Sequence, residues 1–135
     1  MRVVSKELRR TIRSEMDASR TVLESTLFSR EAGMGETPSR MIATAVSELV
    51  RNILKYAGSG EIRLRQVTAS RGRAIEIEAV DWGPGIHDCD AAMCDHFSSS
   101  GTLGLGLPGV KRMMDEFTLD STPGEGTRVT VRKWI

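Results

Sequence analysis

Two short apolar runs, Ile62-Leu64 and Ile75-Ile77-Ala79, alternate with polar residues and are separated by Ser70-Arg71-Gly72-Arg73. A period of two puts each apolar set on one face of a strand. A Gly-containing turn between two such strands makes them an antiparallel hairpin. A doubly wound parallel sheet needs strands alternating with helices throughout, so this hairpin argues against it.

The flanking sequence attaches further elements. Leu8, Ile12 and Met16, set against Glu7, Arg9, Thr11 and Arg13, predict a strand over residues 8–16. Val22, Leu23, Leu27 and Phe28 predict an amphipathic helix from Asp17 to about Ala32, punctuated by Gly33 and Gly35. Thr37-Pro38 reads as N-cap and first residue of the clearest helix, because proline's missing N–H is not needed there. In that helix Ile42, Ala45, Val46, Leu49 and Ile53 share one arc, and Gly58 and Gly60 end it. A Gly-rich stretch follows from Asp81 to about Gly106. Leu107, Val110, Met114 and Phe117 then mark a third helix. Two strands around Pro123-Gly124-Glu125-Gly126 close the chain, the second with Val129, Val131 and Lys133 opposite Arg128, Thr130 and Arg132. The expected fold is an α+β two-layer sandwich, one mainly antiparallel mixed sheet with helices on one face. A chain of 135 residues fits a single domain, 1–135.

Composition narrows the partners. Lys plus Arg number 19 against 18 Asp plus Glu, a net charge of +1, without the basic excess that nucleic acid or an anionic membrane demands. No apolar run approaches the ~20 residues of a membrane span, and the first residues are too charged for a signal peptide. Two cysteines, Cys89 and Cys94, are too few for a disulfide scaffold. A cytoplasmic protein with neither nucleic-acid nor membrane partners is expected.

Three segments carry candidate chemistry. In Ser47-Glu48-Leu49-Val50-Arg51-Asn52, Glu48 and Asn52 stand one turn apart and flank the apolar arc, where a carboxylate and an amide can border a cleft. In Asp81-Trp82-Gly83-Pro84-Gly85, Asp81 offers an acceptor at a strand end, and two glycines permit close backbone approach. The run from Gly101 to Gly109 feeds a helix, whose free N–H groups and positive dipole end suit phosphate. It lacks a Walker lysine motif and an immediately preceding strand, so the P-loop and dinucleotide-fold readings fail.

In this order E-L-V-R-N, D-W-G-P-G, G-L-G-L-P-G and Gly124-Glu125-Gly126-Thr127 resemble the N, G1, G2 and G3 boxes of the GHKL ATP-binding superfamily, which holds histidine kinase catalytic domains, DNA gyrase, MutL and anti-sigma-factor serine kinases. The stretch from Phe97 to Phe117 is similar to the switch kinases of bacterial stressosomes. The resemblance implies a serine/threonine kinase that uses ATP and Mg²⁺. It would phosphorylate STAS-domain proteins and, once released, bind an output protein such as a PP2C-type phosphatase. It leaves room for a homodimer. A second reading is an anti-sigma-factor kinase that captures a sigma factor directly, and a third is a nucleotide-gated docking module with negligible transfer.

By the same resemblance Glu48 is the proton acceptor, Asn52 the Mg²⁺ ligand and Asp81 the acceptor from the adenine amino group. Gly83, Gly85, Gly104, Gly106 and Leu107 shape the nucleotide site, and Thr127 supports Asp81. These roles suit the chemistry: Mg²⁺ takes few protein oxygens, and phosphoryl transfer needs positioning and charge neutralisation above all. One departure is that residues 86–106 contain neither Lys nor Arg, whereas anti-sigma kinases carry a lid arginine near the γ-phosphate. Lys111 and Arg112 are the cations that follow.

The same segment holds His87, Cys89, Cys94 and His96, four ligand types that zinc accepts, but at the spacing of no common zinc module. Solvated side chains are the expected reading. Purified protein should therefore contain no stoichiometric zinc, and a zinc-selective chelator that leaves Mg²⁺ in place should leave ATP binding unchanged. Elemental analysis finding one zinc per chain would overturn this, since structural zinc contributes folding energy directly.

Overall fold

A computed structural model describes residues 2–85 and 106–135. Gly104, His87, Cys89, Cys94 and His96 lie outside the described residues. Strand β1 (Val3–Ile12) precedes helices α1 (Glu15–Glu31) and α2 (Glu36–Tyr56), then β2 (Gly60–Ala69), β3 (Gly72–Asp81), α3 (Gly106–Met113), β4 (Glu116–Thr122) and β5 (Gly126–Trp134). The sheet order is β1-β2-β3-β5-β4, and each of the four pairings is antiparallel. The predicted two-layer α+β arrangement and the β2–β3 hairpin are both present.

Helix α1 starts at Ser14, whose hydroxyl accepts from the Asp17 N–H at 3.1 Å while Asp17 accepts from the Arg13 N–H at 2.9 Å. This reciprocal cap ends β1 at Ile12 rather than at residue 16, so Met16 belongs to α1. Only part of the expected apolar face of α1 meets the core: Phe28 lies in it and Val22 packs against it. Leu23 and Leu27 are 64% and 55% exposed, while Thr21, Ser25, Phe28 and Ser29 are buried. The three hydroxyls can be buried because each donates to a carbonyl of its own helix, at 2.6–2.8 Å. In α2 the N-cap is Gly35, and Thr37-Pro38 lie inside the first turn, where backbone N–H groups still lack helical partners.

The core lies between the helices and one face of the sheet. Ile42, Val46, Leu49 and Ile53 of α2 pack with Ile12, Ile62, Leu64, Ile75, Ile77, Val129 and Val131. Val110 and Met114 join from α3 and the residue following it. Phe117, expected on the third helix, lies on β4 and packs against the same core.

The opposite face of the sheet is closed by charge. Glu7, Arg65, Glu76, Arg132 and Glu116 stand in register across all five strands, alternating in sign. Glu76 is 3% exposed and receives Arg2 at 2.6 Å, Arg132 at 2.9 Å and Arg65 at 3.3 Å. Glu78, one position on in the same outward row, receives Arg63 at 2.8 Å, Arg65 at 3.1 Å and Arg128 at 3.3 Å. Burial alone would raise both acids, but hydrogen bonds from Arg2 and Arg132 to Glu76, and from Arg63 and Arg65 to Glu78, outweigh it and hold both below the ordinary carboxylate range.

A carboxylate held below its unfolded value contributes stability above that value and loses it as pH falls through the folded one. Glu76→Gln should therefore cost about 1–3 kcal/mol at neutral pH, less than a fully buried pair, because Arg65 and Arg132 keep Glu7 and Glu116. The gap to wild type should shrink in acid, as pH falls through the lowered folded value of Glu76 and the glutamate itself is neutralised. Urea unfolding at both pH values checks this; a gap independent of pH would remove the ionic contribution.

Candidate functional site

The amphipathic α2 turns its apolar arc to the sheet, which leaves Glu48 and Asn52 at the edge of that buried stripe, one turn apart. Glu48 is buried and Asn52 half-buried. Glu48 Oε1 accepts from Arg51 Nη1 at 3.2 Å. Its Oε2 accepts from the Gly106 N–H at 3.1 Å, a contact 58 residues away in sequence. The helix that carries the candidate base is thereby joined to the head of α3. Gly106 takes φ +63°, a backbone conformation that side chains rarely adopt, as the chain enters α3. Leu107 is buried in the core, so its side chain belongs to the packing, and what it can turn to a ligand is its first-turn N–H.

Asp81 ends β3. Its Oδ1 accepts from the Gly83 N–H at 3.0 Å, an Asx turn that fixes the carboxylate. Among the described residues nothing takes Oδ2, which is available to an N–H of a ligand. Thr127 stands directly opposite Asp81 in the β3–β5 register, and its hydroxyl lies 2.8 Å from that of Ser121. Thr127 is thus a backbone neighbour of Asp81, with its side chain tied to β4.

The glycines around Asp81 are accounted for by the protein's own packing. A Cβ on Gly83 would lie 2.6 Å from Ala57 Cβ, at the end of α2. On Gly85 it would meet the Thr122 carbonyl oxygen at 2.5 Å. Gly126, at φ +121°, would bring a Cβ to 2.2 Å from the Asp81 carbonyl oxygen. The Pro84 carbonyl accepts from the Gly124 N–H at 2.7 Å, which ties the turn after β3 to the turn between β4 and β5. Gly83 and Gly85, expected to let the backbone approach a ligand, have that room filled by α2 and β4.

The site thus collects the middle of α2, the end of β3, the β4–β5 turn and the start of α3. Asn52 offers an amide oxygen, which among the described residues has no partner. A hard oxygen donor one helical turn from the carboxylate that meets the glycine-led head of α3 would suit Mg²⁺, which takes few protein oxygens. Lys111 and Arg112 are exposed in the last turn of α3, about 8 Å along the axis from Gly106 at the usual helical rise. Arg51, which sequence reasoning did not single out, is nearer, being bonded to Glu48 itself.

Residues 37–134 match the family of histidine kinase-, DNA gyrase B- and HSP90-like ATPases. The chain is 51% identical over 106 residues to the serine/threonine-protein kinase RsbT of Bacillus subtilis (strain 168), covering 78% of this chain and 80% of that one. It is 37% identical over 98 residues to the anti-sigma F factor of Thermoanaerobacter sp. (strain X514), covering 70% and 68%. Among solved structures, the SiaB-SiaC complex from Pseudomonas aeruginosa matches with a TM-score of 0.56 at 11% identity, over 98% of this chain and 91% of that one. The histidine kinase domain of the Erythrobacter litoralis blue-light activated histidine kinase matches with a TM-score of 0.52 at 22% identity, over 87% of this chain and 59% of that one. Both structural likenesses are likenesses of fold. The chain belongs to the histidine kinase-, DNA gyrase B- and HSP90-like ATPases, in the branch that holds the serine/threonine-protein kinase RsbT.

Proposed function

We propose that this protein transfers the γ-phosphoryl group of ATP, with Mg²⁺, to a serine or threonine hydroxyl of a STAS-domain stressosome protein. Once released from that substrate it binds a cytoplasmic output protein, such as a PP2C-type phosphatase. The observation that carries the reading is the bond from the Gly106 N–H to Glu48 Oε2, which brings the candidate base to the glycine-led head of α3, one turn before Asn52. A hydroxyl oxygen attacking the γ-phosphorus needs a proton acceptor there as the bond to the bridging β–γ oxygen breaks, and Glu48 is the carboxylate in place. Bound Mg²⁺ would neutralise phosphate charge, with Asn52 as its protein ligand. Asp81 would accept from the adenine amino group through Oδ2.

The 37% identity to an anti-sigma F factor supports a second reading, in which the partner captured is a sigma factor. The Pro108-Gly109 pair and the lack of Lys or Arg over residues 86–106 favour the stressosome reading. A second copy of the chain fits either reading.

Asp81→Asn and Asn52→Ala should each weaken Mg-ATP binding by about 1.5–3 kcal/mol, the usual worth of a hydrogen bond to a charged group. Calorimetry showing wild-type affinity in both folded variants would remove these residues from the nucleotide site.

Glu48→Gln should keep ATP binding while transfer to a STAS partner falls about 10²-fold. Labelled-ATP assays decide the matter. Equal rates for variant and wild type remove Glu48 from the mechanism, and the absence of any phosphoserine or phosphothreonine product with the right partner removes the kinase assignment.

A further inference from the structure

Resting on the kinase reading above, we propose that Arg51 is the positioning residue for Glu48, holding the proton acceptor in one rotamer at the head of α3. Arg51 follows Glu48 by three residues on α2, and its Nη1 lies 3.2 Å from Glu48 Oε1. The other oxygen, Oε2, is engaged from the opposite side by the Gly106 N–H at 3.1 Å. With a separate donor on each oxygen, both the position and the plane of the carboxylate are fixed. A carboxylate has about four lone-pair sites, so two donors still leave acceptor capacity for a hydroxyl proton.

Burial separates this pair from an ordinary surface ion pair. The Glu48 side chain is 8% exposed, whereas that of Arg51 is 44% exposed. The acid stays in the wall of the site, and the guanidinium reaches in to it from the rim. Solvated pairs order little, because both partners move freely in water. Here one partner is already confined, so the arginine selects among the few rotamers left to a buried glutamate. Transfer depends on that choice, since a displacement of about 1 Å in a positioned group can cost about 10²-fold in rate. Arginine suits the task because its planar fork directs its donors, whereas lysine supplies a point charge.

The test compares wild type, Arg51→Gln, Arg51→Lys, Glu48→Gln and the double variant Arg51→Gln/Glu48→Gln. Single-turnover transfer to a STAS partner is measured alongside ATP affinity by calorimetry, with thermal unfolding as a control on folding. Arg51→Gln should slow transfer about 10–100-fold with ATP affinity changed by no more than about two-fold. Arg51→Lys should recover part of the rate. The double variant should be no slower than Glu48→Gln alone, because a residue acting only through Glu48 has nothing left to position. Losses that multiply in the double variant, or a wild-type rate in Arg51→Gln, overturn the proposal. A second measurement needs no partner: the carboxyl-carbon resonance of Glu48, assigned by its loss in Glu48→Gln, should shift in nucleotide-free Arg51→Gln. A shifted resonance with no phosphorylated product from wild type would discard the kinase reading and keep the Arg51–Glu48 contact. An unshifted resonance overturns the contact whatever the transfer assay shows.

Discussion

Strand β3 has to be buried on both of its faces, although the helices that pack on the sheet cover one. Towards the helices it carries Ile75, Ile77 and Ala79, and towards the other side Ala74, Glu76, Glu78 and Val80, all nearly inaccessible. An uncovered apolar outer face would be an association hazard, and unpaired buried acids would be costly. The chain meets both constraints by bringing arginines from β2 and β5 across the outward rows of β3, so that aliphatic stems cover the strand and charged heads satisfy the acids. The register of the whole sheet is written into this pairing, because a slip of one residue would turn Glu76 and Glu78 into the apolar core. With β3 fixed, so is the place where it ends, and it ends at Asp81.

From that strand end the site is assembled by backbone contacts more than by side chains. Gly83 lies on the end of α2, Gly85 on Thr122, and Gly126 on the Asp81 carbonyl. These contacts tie α2, β3 and the β4–β5 turn into one unit, and the Glu48–Gly106 bond attaches α3 to it. Groups that must be placed to a fraction of an ångström are better held on helices and strand ends than on free loops. Glu48 and Asn52 have such support, being carried on α2, whose apolar arc is buried in the core.

Much of this was legible in the sequence because two signals were strong. The period of α2 and the alternation in β2 and β3 gave the layers, and four ordered segments, three of them glycine-bearing, marked the candidate site. Other features left weaker traces. The first half of β1 is obscured by the register shift between Val4 and Lys6, which breaks its alternation, and by an edge position that leaves Val3 and Val4 exposed. Half of the α1 face was misread: Val22 and Phe28 meet the core as expected, but Leu23 and Leu27 outweigh Thr21, Ser25 and Ser29 in hydropathy, whereas helical carbonyls satisfy those hydroxyls and let them pack. Glu76 and Glu78 look like solvated strand residues until cross-strand register sets arginines beside them. Arg51 carried no signal of its own, since a basic residue on a helix edge is ordinary until its acid is seen to be buried.

The distribution of positive charge follows from these constraints. Arg2, Arg63, Arg65, Arg128 and Arg132 are committed to the outer face of the sheet, opposite the helices that carry the candidate site. Residues 86–106 contribute neither Lys nor Arg, and Lys111 and Arg112 stand at the far end of α3. A triphosphate arriving at Gly106 would therefore meet mainly neutral donors, the N–H groups and positive dipole end of α3, together with whatever metal ion it carries. On the proposed reading such a site would lean on Mg²⁺ for neutralisation more than one lined with lysines does. It also makes any single cation near the reacting atoms count for more. On the proposed reading Arg51 would be in that position, and because its bond is to Glu48, its charge would be directed first to that carboxylate and only through it to the phosphates.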